Sequence, residues 1–585
     1  MRNRVAPVLA AAALLAALHP VSANSQKKAV AAMREFLKQI PEDQKILQAL
    51  NRLTFGPRPR DAQAVKAMGL KQWLDQQLHP DTIPENPVLL DKLKPMDTLQ
   101  MSGQELVRNY PSPQIVQQMV RGQLPLPADP DRKMMLKRLM DRYEKRIAAG
   151  QDPNAPPSPP PSGRDAPVLM SLLTPDQVSA LRQGTPQQRI DAFRTLPREK
   201  QDEVLEAMPL GMRQNMFNVA PPELRRRIEM ANGPQQVVQR DLMEGKILRA
   251  VYGNRQLEEV LTDFWFNHFN VFLDKGADRY MVTQYERDAI RPHVLGKFRE
   301  LLEATAKSPA MLFYLDNWQS VGPNAPQGRG PQAPRGLNEN YGRELLELHT
   351  LGVDGGYTQK DVTEAARCFT GWSIFQPQRG GGFVFNQRAH DDGEKTVLGV
   401  KIPAGGGIED GETVLDIVAR HPSTAHFISK KLAMRFVADD PPETLVERMA
   451  ETFLKTDGNL RAVMRTMIDS KEFFSVAAYQ SKLKSPLEVV ASAARVLNAD
   501  IDFAFPLANQ VAQLGQPLYR KQEPTGYSNN SKEWLNSAGL MARMNFALQL
   551  ADNRVPGVKV DSSKAAKPDD PIAGITLGSP EFQKR

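Results

Sequence analysis

Glu344 and Glu347 stand three residues apart in Asn338-Glu339-Asn340-Tyr341-Gly342-Arg343-Glu344-Leu345-Leu346-Glu347-Leu348-His349, and helical spacing gives them a common face with Asn340 and Arg343. Two carboxylates so placed suit a shared proton or a hard cation. The same charges also fit a salt-bridge ladder, Glu339 with Arg343 and Arg343 with Glu347, each at i, i+4. Neither His-Glu-x-x-His nor Glu-x-x-His occurs here, because His349 follows Glu347 by two residues. A divalent cation is the one cofactor this face suggests, and its site would be atypical.

Six histidines (His268, His293, His349, His390, His421 and His426) fall between residues 268 and 426. His390-Asp391-Asp392 is followed by Gly393 and flanked by strand-like segments, which places it on a loop. A neighbouring carboxylate fixes a histidine's tautomer and raises its basicity, so His390 with Asp391 is a candidate general base. In Asp263–Asp274, helical spacing puts Asp263, Asn267, Asn270 and Asp274 on one stripe, with Phe264, His268 and Phe272 on another. The polar stripe offers oxygen ligands or hydrogen bonds to a polar ligand; equally, it is the wet face of a core helix whose His268 is satisfied internally. His421 precedes Pro422, the expected first residue of a helix running to about Val437, where a side chain caps free N–H groups or an anion binds. The candidate catalytic residues are thus His390, Asp391, Glu344, Glu347 and His268. Asn267, Asn340, Arg343, His349 and His421 are the candidates for ligand binding.

Several chemistries are excluded. A single cysteine, Cys368, stands beside Phe369 in an apolar helical pattern, so no internal disulfide forms and a buried inert thiol is expected. No Gly-x-Ser-x-Gly elbow, GxxxxGK[ST] phosphate loop or dinucleotide fingerprint occurs. The formal charge of +8 is spread over 585 residues and does not argue for nucleic acid. The densest basic stretch, Asp131–Arg146, carries Met and Leu at helical spacing and reads as a solvated amphipathic helix.

These residues must be positioned by a mostly helical chain. Residues 1–23 combine Arg2 and Arg4, the apolar run Val5–Leu18 and the small residues Val21-Ser22-Ala23, the pattern of a secretory signal too short to anchor in a bilayer. A periplasmic or secreted protein with no transmembrane anchor after cleavage is expected. Residues 24–150 read as the N-terminal helical part of a main body, and 151–167, with seven prolines, as a linker. Over 168–233 prolines recur at 175, 186, 197, 209 and 221, each opening a short helix-like unit, most of them with a small apolar face; this is a ladder that must pack on itself or on the body. Residues 234–554 continue the helical core, with a small β-hairpin near 382–400 built from Gly382–Phe385 and Thr396–Val400. Ser320–Gly336 is a long Pro/Gly-rich loop, and 555–585, rich in Lys, Pro and Asp, reads as a flexible tail. The fold class is all-α, a multi-helix body with a hairpin excursion and long loops.

Taken in order, the segments resemble the bacterial domain of unknown function 1800 family. The matching stretches are Leu50-Asn51-Arg52-Leu53-Thr54-Phe55-Gly56-Pro57, Phe264–Phe269, Ala310–Asn317, Asn338–Val353, Thr370-Gly371-Trp372, His390-Asp391, His421–Ala425, Lys484-Ser485-Pro486-Leu487-Glu488, and Pro524–Tyr527 with Trp534. The resemblance implies an exported, largely helical protein without implying an activity. It also implies a partner, an exported protein resembling alkaline phosphatases and sulfatases, beside which such proteins are often encoded. Two functions follow from these readings. One is a non-catalytic binding or assembly partner of another envelope protein. The other is an envelope hydrolase in which Glu344 and Glu347 hold a cation or share a proton and His390 activates water. Either places the 263–274, 338–351 and 390–392 segments around a single polar centre.

Overall fold

The computed structural model describes residues 34–150, 171–208, 210–323, 336–560 and 577–585. The expected leader over 1–23, the linker over 151–167 and most of the loop over 320–336 lie outside those residues. The chain is predominantly helical, with three small two-stranded antiparallel sheets among the described residues.

Local chemistry starts many of the helices. Ser485 and Thr358 form capping boxes with Glu488 and Asp361 at the heads of Pro486–Val496 and Gln359–Cys368. Proline opens Pro422–Phe436 at its first turn, with the His421 ring accepting from Ser423 N at 3.2 Å. The capping alternative for His421 is therefore the one realised. Glu42–Leu53 buries Leu50 and Leu53 against a core that also holds Trp265, Phe269, Phe298, Phe436 and Leu487, none more than 2% exposed. Each such side chain contributes about 1.5–3 kcal/mol by leaving water. Residues 36–89 and 242–582 share this core, so the segments on both sides of the proline ladder build one body.

Gln256–His268 is the central helix. Leu257, Val260, Leu261, Phe264, Trp265, Phe266 and His268 are buried on all its sides. A helix apolar all round lies inside the protein, and its polar residues must find partners there. Two single-turn π-helices interrupt the surrounding elements, Tyr285–Ile290 and Leu345–Thr350. In the second, Leu351 N reaches Leu346 O at 3.0 Å and Thr350 Oγ1 reaches Leu345 O at 2.6 Å, so the chain widens by one residue at Glu347–His349. That widening carries His349 into the interior, where it is 2% exposed.

The hairpin differs from expectation. Strands β1 (Trp372–Ile374) and β2 (Phe383–Phe385) pair with each other, and β3 (Lys395–Val397) pairs with β4 (Val400–Ile402). Residues 382–385 and 396–400 therefore belong to two hairpins. The turn at Leu398-Gly399, both at positive φ, returns the second segment on itself within five residues. Strands β5 (Asp500–Ile501) and β6 (Val558–Lys559) form a third pair.

The proline-stepped region folds as helices Pro175–Gln183, Pro186–Arg194, Arg198–Ala207, Leu210–Phe217 and Pro222–Asn232, packed around Leu181, Ile190, Phe193 and Met216. Pro175 and Pro186 take the first helical position after Thr174 and Thr185 caps, whereas Pro197 and Pro221 are themselves the caps. The lobe meets the body at Phe503 and Phe505: the Arg240 guanidinium lies 4.4 Å from both the Phe217 and Phe505 rings. Residues 555–585 are not loose throughout. Val558 pairs in β6, and Phe582 and Arg585 are buried at 5% and 3% exposure, because Phe582 fills the core and Arg585 finds a carboxylate. Among the described residues no helix is long and apolar enough to cross a membrane.

Candidate functional site

His390 lies on a loop after the turn Gln387–Ala389, as expected, yet its side chain has no exposure. Nδ1 faces Thr370 O at 2.8 Å and Nε2 faces Asp410 Oδ2 at 3.0 Å. Both ring nitrogens are engaged inside the protein, so neither faces a substrate. The carboxylate that holds the ring is Asp410, which also takes Lys395 Nζ at 2.5 Å, and not Asp391. Asp391 instead accepts from Arg367 Nε at 2.7 Å and from Gly393 N at 3.0 Å. Burial pushes its carboxyl up, and the Arg367 and Gly393 hydrogen bonds override this and hold it below the usual range. This group latches the β3 segment to the helices Gln359–Cys368 and Glu409–Ala419.

Asn340–Glu344 runs into the π-turn, and the carboxylate face is half-exposed. Arg343 pairs with Glu339 at 3.1 Å and reaches Gln359 at 3.1 Å, so one rung of the expected ladder forms. Glu347 instead accepts from Tyr357 OH at 3.2 Å. Burial and the nearby Glu347 raise the Glu344 carboxyl, against the pull of Arg343. Asn340 donates its backbone N–H to Asn338 Oδ1 at 2.9 Å, an Asx turn that starts the segment. Among the described residues no hydrogen bond or ion pair joins this face to His390 or Asp391, and no three His, Cys, Asp or Glu side chains are grouped so that they could hold a metal ion.

Two of the three expected segments do meet. His268 Nε2 donates to His349 O at 3.0 Å, which fixes the His268 tautomer and leaves Nδ1 with a lone pair. That Nδ1 and His349 Nε2 are buried without a hydrogen-bond partner among the described residues. Burial drives the His268 imidazole well below its ordinary value, and Lys431 and His349 add to the effect. Burial, with Lys431, pushes His349 down to about 3. Both rings are neutral at physiological pH. Lys431, on Pro422–Phe436, escaped the reading of the sequence, which carried no signal for it beyond a helical lysine. Its Nζ stands 5.2 Å from the centre of the Phe427 ring, one turn back, and burial pushes it down to about 8. Gly352, at φ +86°, lets the chain pass this ring, since a Cβ there would lie 2.9 Å from Phe427.

The polar stripe of the central helix turns toward residues 516–530. Asn267 receives Tyr527 N at 2.6 Å and donates to Tyr527 O at 2.8 Å, and Asn270 donates to Lys521 O and Glu523 O at 2.9 Å. Asp263 pairs with Lys246 at 3.1 Å and Asp274 with Arg520 at 2.8 Å. Asn267 thus clamps a loop rather than facing open space.

Beside that clamp lies a cavity of about 40 Å³ lined by Asp263, Asn267, Arg435, Lys482, Trp534 and Arg585, with Glu488 at its edge. Glu488 Oε2 completes the capping box on Ser485 N at 2.8 Å. Oε1 sits 2.6 Å from Arg435 Nη1 and 2.7 Å from Arg585 Nη1. Arg52, Lys484 and Arg543 also feel its charge, and Lys482 pairs with Asp439 and donates to Asn529 O at 2.5 Å. None of these six cations is more than 5% exposed, and two carboxylate side chains, Glu488 and Asp439, serve them. Nε and Nη1 of Arg52 and Nε of Arg585 have no acceptor among the described residues. Burial pushes Lys484 down to about 7. Nothing in composition marked this cluster. Lys484-Ser485-Pro486-Leu487-Glu488 entered the reading of the sequence only as a stretch resembling the family, with no charge hub assigned to it.

A model of a protein family described as protein of unknown function (DUF1800) matches residues 48–583. Neither the curated proteins nor the solved structures contain a match.

Proposed function

We propose, from the premise that this chain belongs to the DUF1800 family of proteins of unknown function, that it is a non-catalytic binding and assembly partner of another exported envelope protein. It acts in the periplasm or outside the cell, and takes hold of a carboxylate on that partner through the cavity beside Glu488. One observation carries this reading: the buried cations Arg435, Lys482 and Arg585 line the cavity, Arg52, Lys484 and Arg543 lie buried in the field of the same Glu488, and two carboxylate side chains, Glu488 and Asp439, answer all six. A buried charge without a counter-charge costs several kcal/mol, so an incoming anionic group gains what the fold leaves uncompensated. The small volume admits a head group rather than a whole ligand, as suits an acidic side chain presented by a protein.

Titration calorimetry of the full chain with acetate, and separately with sulfate, tests the site. Acetate binding is expected, and Lys482→Met should weaken it by about tenfold, one lost charge-assisted hydrogen bond. Lys482 is the suitable position because its partner Asp439 is 28% exposed and can be hydrated when the ammonium is gone. Sulfate binding stronger than acetate binding would reassign the site to tetrahedral oxyanions. Absence of both, or equal affinity in the variant, would end the proposal.

The hydrolytic alternative retains a specific support in Glu344, whose carboxyl is raised by burial and by the nearby Glu347. It proceeds without His390, which is engaged on both sides. Its expected result is stoichiometric divalent metal in the purified chain that is lost in Glu344→Ala; equal metal content in the two proteins sinks it.

A further inference from the structure

Ser537–Ala551 is a helix with apolar residues on both sides. Phe546, Ala547 and Leu550 turn to the body, together with Arg543, the one charged residue of the helix, whose guanidinium donates to Gln583 Oε1 and Lys484 O at 2.9 Å. On the other side Leu540, Met541, Met544 and Leu548 are 42%, 69%, 57% and 58% exposed, and Leu535, just before the helix, is 52% exposed. Among the described residues nothing covers this face. It carries no charged residue, in a chain of which 24% is charged. An ordinary surface helix turns charge to water; a large apolar patch without it has the character of an interface centre.

The spacing along this face indicates what covers it. Ser537, Met541, Met544, Leu548 and Ala551 follow one another at intervals of four, three, four and three, the seam of one helix packing along another. That seam reads alike from either end about Met544: Ser537 and Ala551, both small, stand seven residues to either side, and Leu540 and Leu548 four. A face that matches itself when turned end for end is complementary to a second copy across a two-fold axis. The charges at its ends agree. Lys532 and Glu533 are exposed beyond the N-terminal end, and Asp552 and Arg554 beyond the C-terminal end. A copy turned end for end brings these groups toward opposite ones, whereas a parallel copy would set each against its like. Antiparallel helix dipoles favour the same arrangement, and the unbranched, adaptable methionine suits the crossing point.

We propose that two copies of this chain associate through Leu535–Leu548, their Ser537–Ala551 helices antiparallel and crossing at Met544. The association does not depend on the anion-binding cavity. Five side chains already about half covered make a small interface, about 1,200 Å² in total, so a dissociation constant of about 1–10 μM is expected.

Sedimentation equilibrium of the full chain between about 0.5 and 100 μM tests this. A reversible monomer–dimer equilibrium is expected. Met544→Glu puts two like charges face to face at the axis and should weaken it at least about tenfold, with the melting temperature unchanged because the side chain is 57% exposed. An equimolar mixture of Met544→Glu and Met544→Lys should restore the dimer. Mild oxidation reads the direction: Leu540→Cys mixed with Leu548→Cys should cross-link between copies faster than either variant alone, with the buried Cys368 silent. A monomer at about 100 μM overturns the proposal and leaves the face to residues 561–576 or to a different protein. So does a dimer that Met544→Glu leaves intact, or one in which each cysteine variant links only to itself.

Discussion

Glu488→Ala is expected to lower the unfolding free energy by about 3–5 kcal/mol, the cost of removing one partner from a buried charge group. The residue serves two systems at once. Oε2 closes the capping box of Pro486–Val496, and Oε1 lies between the Arg435 and Arg585 guanidinium groups. Loss of the cap alone costs about 1 kcal/mol; the larger share comes from leaving Arg435 and Arg585, with Arg52 and Arg543 behind them, without their nearest negative charge. Urea unfolding at neutral pH measures it. Glu488→Gln, which keeps the cap geometry and removes only charge, should account for most of the loss. Acetate should restore part of the variant's stability and do so more than it stabilises the parent, because ligation of the native state adds RT ln(1 + [L]/Kd) and the variant offers the emptier site. A loss below about 1 kcal/mol would mean that other groups balance the cluster, and the anion-binding reading would fall with it.

Asp278→Asn should do the opposite and stabilise the protein, increasingly so as the pH rises. Asp278 sits in the turn Gly276–Tyr280 with no exposure, and neither carboxylate oxygen has a hydrogen-bond partner among the described residues. Burial raises its carboxyl well above the ordinary 3.8; Lys275, committed to Asp316 at 2.8 Å, lowers it less, and Asp316 raises it further. Between the unfolded and the folded pKa, the native state keeps a proton that the unfolded chain has released. Stability therefore falls with rising pH through that window, by about 1.4 kcal/mol per pH unit, and levels off above the folded value. Asparagine does not ionise, so the variant should match the parent below about pH 4 and exceed it progressively above. Denaturation curves at several pH values decide the matter: parallel stability profiles for the two proteins would show that Asp278 ionises in the native state as freely as in the unfolded one.

Neither effect was assigned to its residue by the sequence, whereas much of the architecture was written locally. The Thr174 and Thr185 caps, the prolines that follow them and the Ser485 box are decided within four residues of chain, and the helices begin where those signals stand. His421 capping Ser423 is of the same kind. The hairpins were half legible: strand-like residues bounded by turn residues marked Gly382–Phe385 and Thr396–Val400, but which strand each pairs with depends on the turns, and two hairpins replaced one. The π-turn at Leu345–Thr350 left no trace in hydrophobic spacing, and it is what turns His349 inward, toward His268 and away from Glu347.

The order of amino acids alone thus established a mostly helical, family-specific body, its helix starts and the identity of several polar residues, because those properties depend on interactions between near neighbours along the chain. Which polar residues face one another was settled only by tertiary packing. His390 meets Asp410 instead of the adjacent Asp391, and Arg52 and Glu488, at opposite ends of the chain, come under one field. The physical reason is that burial and charge act through space. An imidazole or carboxylate changes its chemistry when water is removed from around it, and which groups lose that water is decided by the packing of segments hundreds of residues apart.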